Sequence, residues 1–275
     1  MNEVIKTELS SKRIVQSYAW GEVVWHVWGD VLNGTNKKEP LVLIHGGSGS
    51  WTHWVRNVEY LAKSRSVWAL DIPGFGDSSL PDGVKDADEL VPYLVEIFSK
   101  SFPGQAVDAM GFSFGGMTLG LLAAENPKLV KKMILVGVPG LGLFGEDLPM
   151  RGMVSNMTEA QQRGVHRHNL NTMMLARESS VTDDVIDMQQ KNVSRDRLRR
   201  RRIARTDVLA KVQSKWQCPV HGIWGEKDAL YKGTIQNISS VLTGLASLTI
   251  VPDAGHWVMF EKPDAFHKAL APLLD

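Results

Sequence analysis

The sequence predicts an α/β fold in which a mostly parallel sheet carries an antiparallel N-terminal hairpin and is covered by helices on both faces. Residues 12–28 are rich in β-branched and aromatic side chains around a glycine, a pattern typical of a hairpin. From residue 41 onwards, short apolar runs alternate with helical patterns, which indicates parallel strands joined by helices. The alternation stops between about 141 and 212, where the pattern is helical and contains no convincing strand.

The predicted elements follow one another in regular order. After the hairpin, strands are expected at 41–44, 66–70, 106–110, 132–138, 219–224 and 246–251. Helices are expected at 53–64, 84–101, 114–125 and 233–242, and from about 263 to the end. This order divides the chain into an α/β core domain, 1–140 and 213–275, and a helical cap or lid, 141–212. Because ligands bind at the carboxyl edge of such sheets, the cap is expected to form one wall of a substrate pocket.

Composition narrows the function classes. The chain has 275 residues and a formal net charge of +1, so no global charge favours binding to nucleic acid. Its only cysteine is Cys218, which excludes an internal disulfide and a cysteine-based metal cluster and fits a cytoplasmic setting. The N-terminus lacks the apolar core of a signal peptide, and no run is long enough to span a membrane. The expected partner is a small-molecule substrate, with a homodimer left open.

The segment GFSFGG, 111–116, stands between a predicted strand and a predicted helix. Its three glycines have two interpretations, a tight turn with an incidental serine or a strained elbow that exposes Ser113 as a nucleophile. The second interpretation requires a base and an acid, since a serine hydroxyl is activated only by a neighbouring base that an acid orients. His256 follows the last predicted strand, and Asp228 follows the strand before it. The order Ser113, Asp228, His256 is that of elbow-type hydrolases and favours chemistry.

An oxyanion formed at Ser113 would need backbone N–H donors nearby. The amide of Phe114, directly after the nucleophile, is one expected donor. The loop HGGSGS, 45–50, directly follows a strand, and Gly47, with Ser48 next to it, is expected to supply the second. His45 opens this loop and is expected to support it. No metal-ligand spacing is present, and neither a metal nor another cofactor is expected.

With these motifs in place, nearly the whole chain resembles an α/β-hydrolase. The matching segments are HGG at 45–47, DIPGFGDS at 71–78, GFSFGG at 111–116, GEKD at 225–228 and GHW at 255–257. The double-glycine loop, PGFGDS and GHW are similar to the meta-cleavage product hydrolases, which cut C–C bonds in dienoates from aromatic ring fission. That resemblance implies a role for Trp257 beside the catalytic histidine.

The chain departs from that group at two positions. Phe112 stands where those hydrolases usually have asparagine, and Gln189 falls near the position of their cap arginine. The same skeleton is shared by carboxylesterases, lactonases and perhydrolases. We therefore expect a serine hydrolase that cleaves a small, mainly apolar ester through an acyl-enzyme. A C–C hydrolase and a receptor without turnover remain alternatives.

Several further residues are candidates for the pocket. Trp51 and Trp54 follow the glycine loop, and Phe144 opens the cap. Methionines at 150, 153, 157, 173, 174 and 188 indicate either ordinary cap packing or a pliable apolar pocket. Seven arginines between 195 and 205 form a run that is typical of a solvated face, but a single inward-pointing arginine could bind a carboxylate.

Overall fold

A computed structural model describes residues 3–29, 38–143, 145–198 and 200–274. Its strands are β1 Lys12–Tyr18, β2 Gly21–Trp28, β3 Leu41–Ile44, β4 Val67–Leu70, β5 Val107–Phe112, β6 Val130–Val136, β7 Val220–Gly225 and β8 Leu245–Val251. Its α-helices are α1 Glu3–Leu9, α2 Val58–Leu61, α3 Val91–Ser101, α4 Phe114–Glu125, α5 Glu159–Asn169, α6 Asp183–Ser194, α7 Val208–Val212, α8 Ile238–Val241, α9 Val258–Glu261 and α10 Pro263–Leu270. None of these helices has the length and apolar character to cross a bilayer.

The strands form one eight-stranded sheet in the order β1-β2-β4-β3-β5-β6-β7-β8. The predicted hairpin is present, with β1 antiparallel to β2 and β2 antiparallel to β4. The remaining neighbours are parallel, from β4 through β3, β5, β6 and β7 to β8. The carboxyl ends of β3, β5, β7 and β8 therefore lie at the same edge of the sheet, as the alternating pattern predicts.

Apolar side chains cover both faces of the sheet. On one face, residues of α3, α4 and α7, including Leu94, Leu119 and Leu209, join a buried cluster. On the other face, residues of α2, α9 and α10, including Leu61 and Phe266, join a second cluster. The central strands β3 and β5 are buried along their whole length, because helices cover them on both sides.

Three predicted helices are shorter in the structure. The pattern at 233–242 becomes a 3₁₀ turn, Ile235–Asn237, followed by the single turn α8, Ile238–Val241. The pattern at 53–64 becomes a 3₁₀ turn, Trp51–Trp54, followed by the single turn α2, Val58–Leu61. The helix expected from residue 84 begins as a 3₁₀ turn at Asp88 and continues as α3 from Val91. In these places apolar side chains recur at helical spacing although the backbone is partly irregular. Packing on the sheet beneath them, rather than a regular helix, decides which of these side chains are buried.

Residues 141–212, called here the helical segment, contain α5, α6, α7 and a π-helical turn at Leu170–Met174. No strand is present in the part of this segment that the structure describes. Helix α5 begins with a capping box, in which Thr158 Oγ1 accepts from the Gln161 amide while the Gln161 side chain accepts from the Thr158 amide. The segment is tied to the core by Leu209, whose amide donates to the Gly140 carbonyl at 2.8 Å and whose side chain is buried.

Candidate active site

Ser113 lies at the turn between β5 and α4, in a backbone conformation that L-residues rarely adopt. Its φ is +50° and its ψ is −123°, and its amide donates to the Val136 carbonyl of β6 at 2.8 Å. Close backbone packing explains the surrounding glycines. A Cβ at Gly111 would collide with the Gly116 backbone, and one at Gly115 would collide with the His45 carbonyl. The turn is thus a strained elbow rather than a flexible loop.

Three side chains form a continuous hydrogen-bonded chain at this turn. His256 Nε2 lies 2.9 Å from Ser113 Oγ, and His256 Nδ1 lies 2.8 Å from Asp228 Oδ2. With Nδ1–H donating to the carboxylate, Nε2 is left as the acceptor for the serine hydroxyl. Asp228 and His256 are both buried, and the Leu230 amide donates to Asp228 Oδ1 at 3.0 Å. The arrangement can therefore transfer a proton from the hydroxyl to the imidazole.

The two other carboxylates near these loops have different partners. Asp253 Oδ1 accepts from Lys227 Nζ at 2.6 Å, and Glu146 Oε2 accepts from Lys232 Nζ at 2.9 Å. Both pairs are exposed to solvent. The structure thus brings Asp228, and neither alternative, to His256.

The loop after β3 lies against Ser113. A Cβ at Gly46 would stand 3.3 Å from Ser113 Cβ, and Gly47 and Ser48 line the same cavity as the serine. His45 supports the loop, since its Nδ1 donates to the Gly46 carbonyl at 2.7 Å and its Nε2 accepts from the Ile72 amide at 3.0 Å. Burial lowers the pKa of His45 to about 3, which keeps the ring neutral. The Gly46 amide donates to His53 Nδ1 at 3.1 Å and fixes the loop from the other side.

Beside this loop, the amide of Phe114 begins α4. The first N–H groups of a helix have no acceptor within the helix, and they lie at its positive end. Gly47, Ser48 and Phe114 line the same cavity as Ser113 and His256. The positions predicted for an oxyanion hole are therefore adjacent to the serine, although the donor role of each amide stays a prediction.

The cavity above Ser113 has a volume of about 750 Å³, within the size range of small-molecule sites. The helical segment supplies much of its wall. Apolar members are Leu143, Leu148, Met150, Met153, Val165, Leu170, Met173 and Met174. Four of the six methionines noted in the sequence thus face the cavity, whereas Met188 packs in the core. Half of these eight side chains are methionines, which are unbranched and can adapt to different shapes.

Of the predicted substrate contacts, Phe112 and Gln189 line the cavity. Trp51 does not, which corrects the prediction, because it packs under the loop against the rings of His26 and Trp28. Trp257 is likewise outside the cavity wall, since it stacks on Phe260 with ring centroids 4.2 Å apart.

Trp257 also donates from its indole Nε1 to the His53 carbonyl at 3.0 Å. The Trp257 side chain therefore packs against His53 and Phe260. Trp54 is fully buried in the core. The prediction for Phe144 lies outside the described residues.

Polar residues of the helical segment also line the cavity, and the sequence pattern alone does not identify which of them do so. His166 and Asn169 face the cavity from α5, and Arg201 faces it from the arginine run. Burial, followed by the charge of Arg163, lowers the pKa of His166, so the ring is a neutral hydrogen-bonding group at pH 7. The spacing of Val165, His166, Asn169 and Leu170 is the signal that could have identified this helix face.

Two further described arginines of the run form ion pairs with exposed carboxylates. Arg195 pairs with Asp77 at 2.9 Å, and Arg205, which lines the cavity with 77% of its side chain exposed, pairs with Asp147 at 2.5 Å. Arg201 also lines the cavity and is the more buried of these cavity arginines, and its partner is the buried carboxylate of Asp196.

Comparison with known proteins places these features in a family context. Residues 41–269 match the model of the alpha/beta hydrolase family. A dihydrolipoyllysine-residue acetyltransferase component of an acetoin cleaving system from Pseudomonas putida is 27% identical over 245 residues, which are 86% of this chain and 63% of that protein. The matched part is thus less than two thirds of that relative.

A 2-hydroxymuconate semialdehyde hydrolase from Pseudomonas sp. (strain CF600) is 38% identical over 106 residues, 37% of each chain. Among solved structures, a carboxylesterase from Bacillus subtilis superposes with a TM-score of 0.76 at 16% identity, covering 99% of this chain and 94% of the other. A naproxen esterase from Bacillus subtilis gives a TM-score of 0.72 at 16% identity, covering 99% of this chain and 96% of that one. The structural likeness concerns the fold.

Proposed function

The chain belongs to the alpha/beta hydrolase family, and from this premise we propose that it is a hydrolase that cleaves small, mainly apolar esters through an acyl-enzyme on Ser113. The observation that carries the proposal is the hydrogen-bonded chain from Ser113 Oγ through His256 to Asp228, which opens on the cavity. A serine in this setting is a nucleophile whose base is already oriented.

The reaction begins when His256 Nε2 takes the proton of Ser113 Oγ as the oxygen attacks the ester carbonyl. Asp228 stabilises the imidazolium through Nδ1–H, and the amides of Phe114 and Gly47 stabilise the oxyanion. The intermediate collapses, the C–O bond breaks, and His256 returns the proton to the leaving alcohol. A water then attacks the acyl-enzyme with His256 again as base, which releases the acid and restores Ser113.

The walls of the cavity support an apolar acyl or alcohol group. Met173, Met174 and Leu170 stand on the helical segment and would contact such a group above Ser113. We propose that the helical segment is a cap that excludes water from the acyl-enzyme and selects substrates by shape. His166 and Asn169 would supply the few polar contacts that orient a substrate.

The proposal is tested with p-nitrophenyl esters of graded acyl length and with a fluorophosphonate probe. We expect turnover of short and medium esters, a burst of p-nitrophenol, and covalent labelling that is lost in Ser113→Ala. Ser240→Ala changes an exposed serine and should keep both activity and labelling. Hydrolysis of an ester by Ser113→Ala at the wild-type rate would contradict the acyl-enzyme.

A second candidate is C–C bond hydrolysis of a ring-fission dienoate. It is supported by the partial similarity to the 2-hydroxymuconate semialdehyde hydrolase. Gln189 lines the cavity near the position where such enzymes have an arginine, so polarisation of a dienoate would need another group. Loss of dienoate absorbance with a kcat/KM above that of every ester in the panel would favour this candidate.

A further inference from the structure

Arg201 of the helical segment packs directly on the loop that carries Gly47. A Cβ at Gly47 would stand 2.9 Å from Arg201 Nε, 3.2 Å from Cζ and 3.3 Å from Cδ. The Arg201 side chain therefore occupies the space that a larger residue at position 47 would need. Its Nε is buried and has no hydrogen-bond partner among the described residues. Nε therefore packs against Gly47 without forming a hydrogen bond.

The same guanidinium also faces the ring of Phe114, the residue whose amide is the other expected oxyanion donor. Arg201 Cζ lies 5.5 Å from the ring centroid of Phe114 and 5.3 Å from that of Phe75. These are cation–π distances. Arg201 thus lies between the glycine loop and the first residue of α4, where the two proposed N–H donors originate.

A buried carboxylate fixes Arg201 and the loop to each other. Ser48 Oγ donates to Asp196 Oδ2 at 2.6 Å, and Arg201 Nη2 donates to the same oxygen. Arg201 Nη2 also lies 3.4 Å from Ser48 Oγ, which closes a triangle of three side chains. Ser48 has a φ of +49°, a left-handed conformation that a serine keeps only when its surroundings hold it there.

A second group of hydrogen bonds ties the end of α6 to the same loop. Ser50 Oγ donates to Asn192 Oδ1 at 2.8 Å, and Asn192 Nδ2 donates to Thr52 Oγ1 at 2.9 Å. Asn192 is 1% exposed, so water does not compete for these bonds. Asn192, Asp196 and Arg201 thus contact the loop at Gly47 and at residues that follow it.

We propose that Arg201 and Asp196 are positioning residues that hold Gly47 and Ser48 in the conformation that points the Gly47 amide at the oxyanion. This inference rests on the proposed function. The oxyanion hole then depends on the helical segment, because side chains of that segment hold the glycine loop of the core. Ser48 and Arg201 are 153 residues apart in the chain. A displacement of the amide by about 1 Å would lower turnover on the order of 10²-fold without removing any reacting group.

The test compares Arg201→Met and Ser48→Ala with Arg163→Met. Met keeps the bulk against Gly47 and loses the bond to Asp196, whereas Ala at position 48 loses one hydroxyl. Arg163 is also an ion-paired arginine of the helical segment, but its partners are Asp183 and Asp187 on α6. We expect kcat, counted per fluorophosphonate-titrated site, to fall about 10- to 100-fold in the first two variants. KM should change less than about threefold, and Arg163→Met should match the wild type.

An alkyl boronate, which forms a tetrahedral adduct on Ser113, distinguishes a positioning role from a merely structural one. Its affinity should fall by the same factor as kcat/KM, because it uses the oxyanion donors. The losses in Ser48→Ala and Asp196→Ala should not add in the double variant, because both remove the same hydrogen bond.

The outcomes separate the two proposals. A labelled, active wild type with kcat unchanged in Arg201→Met and Ser48→Ala would overturn the positioning role alone. A rise in KM at constant kcat would also overturn it, since it would indicate contact with the substrate. Absence of labelling in the wild type itself would overturn the proposed function, on which the inference rests.

Discussion

Gly137 lies against His256 at the point where β6 ends. A Cβ at Gly137 would stand 3.3 Å from His256 Nδ1 and Cε1 and 3.3 Å from Asp228 Oδ2. The backbone there has a φ of +56°, and the Gly137 amide donates to the Ile223 carbonyl of β7 at 3.1 Å. The glycine therefore leaves the space in which the imidazole and the carboxylate meet.

Gly137→Ala should lower kcat by more than its loss of folding stability accounts for. The new methyl group would press on the His256–Asp228 pair, and we expect kcat to fall at least tenfold. Gly233→Ala is the matched control, because Gly233 has a φ of +78° and a Cβ there would meet nothing within 4 Å. Both variants should lose about 1 kcal/mol in free energy of unfolding, measured by urea denaturation. Equal kcat values in the two variants would contradict the contact.

Asp228→Asn should abolish most turnover while leaving ligand binding nearly intact. The amide cannot accept the Nδ1–H bond as a carboxylate does, so the imidazole loses its tautomer and its charge support. We expect kcat to fall by about 10³- to 10⁴-fold. Asp253→Asn, which breaks the exposed pair with Lys227, should change kcat less than twofold. A larger loss in Asp253→Asn than in Asp228→Asn would show that the acid is assigned to the wrong loop.

His26 should contribute to the loss of stability in acid. Burial, followed by the charge of Arg13, lowers its pKa from 6.5 to about 4, while Asp77 opposes the shift. Between pH 4 and pH 6.5 the unfolded chain thus binds more protons at this residue, and the free energy of unfolding rises with pH. His26→Phe keeps the ring contact with Trp51 and removes the titration.

The measurement is the free energy of unfolding of the wild type and of His26→Phe in urea at several pH values. We expect the wild type to gain about 1 to 3 kcal/mol relative to the variant between pH 4 and pH 6.5. The difference should be constant above pH 7, where His26 is neutral in both states. Parallel curves over the whole range would contradict the shifted pKa.

Met150 and Met153 should select for long acyl chains. Both line the cavity although they are 43% and 44% exposed, so they form its outer lip. Replacing both by serine should raise KM for p-nitrophenyl esters of six or more acyl carbons about 3- to 10-fold, because apolar contact is lost. KM for the acetate should hardly change. Val154→Ser is the control, since Val154 is 64% exposed and outside the cavity wall, and uniform effects on all esters would contradict the assignment.

The order of strands and helices could be predicted because each element has its own local pattern of apolar and polar residues. The apolar run at 41–44 matches β3, and the pattern at 114–125 matches α4. Parallel strands place their carboxyl ends at one edge, so the loops bearing Ser113, Asp228 and His256 were expected to converge there. Local signals and one topological rule were sufficient for these three positions.

The extents of helices were less predictable. Apolar residues at 53–64 have helical spacing, yet the chain forms only two short turns there, Trp51–Trp54 and Val58–Leu61. The reason is that the loop must also place His53 under Gly46 and Asn57 beside Met259. Contacts with distant residues thus override a local helical preference.

The sequence by itself determined the fold class, the elbow at Ser113 and the order of the three residues that meet there, since each depends on neighbours in the chain or on strand direction. Only the tertiary structure decided that Trp51 and Trp257 pack outside the cavity wall and that Arg201 of the arginine run packs on Gly47. An arginine run has the same local pattern whichever side chain turns inward. Which arginine turns inward depends on where the buried carboxylate of Asp196 lies close to the space above Gly47. Long-range packing determines that position.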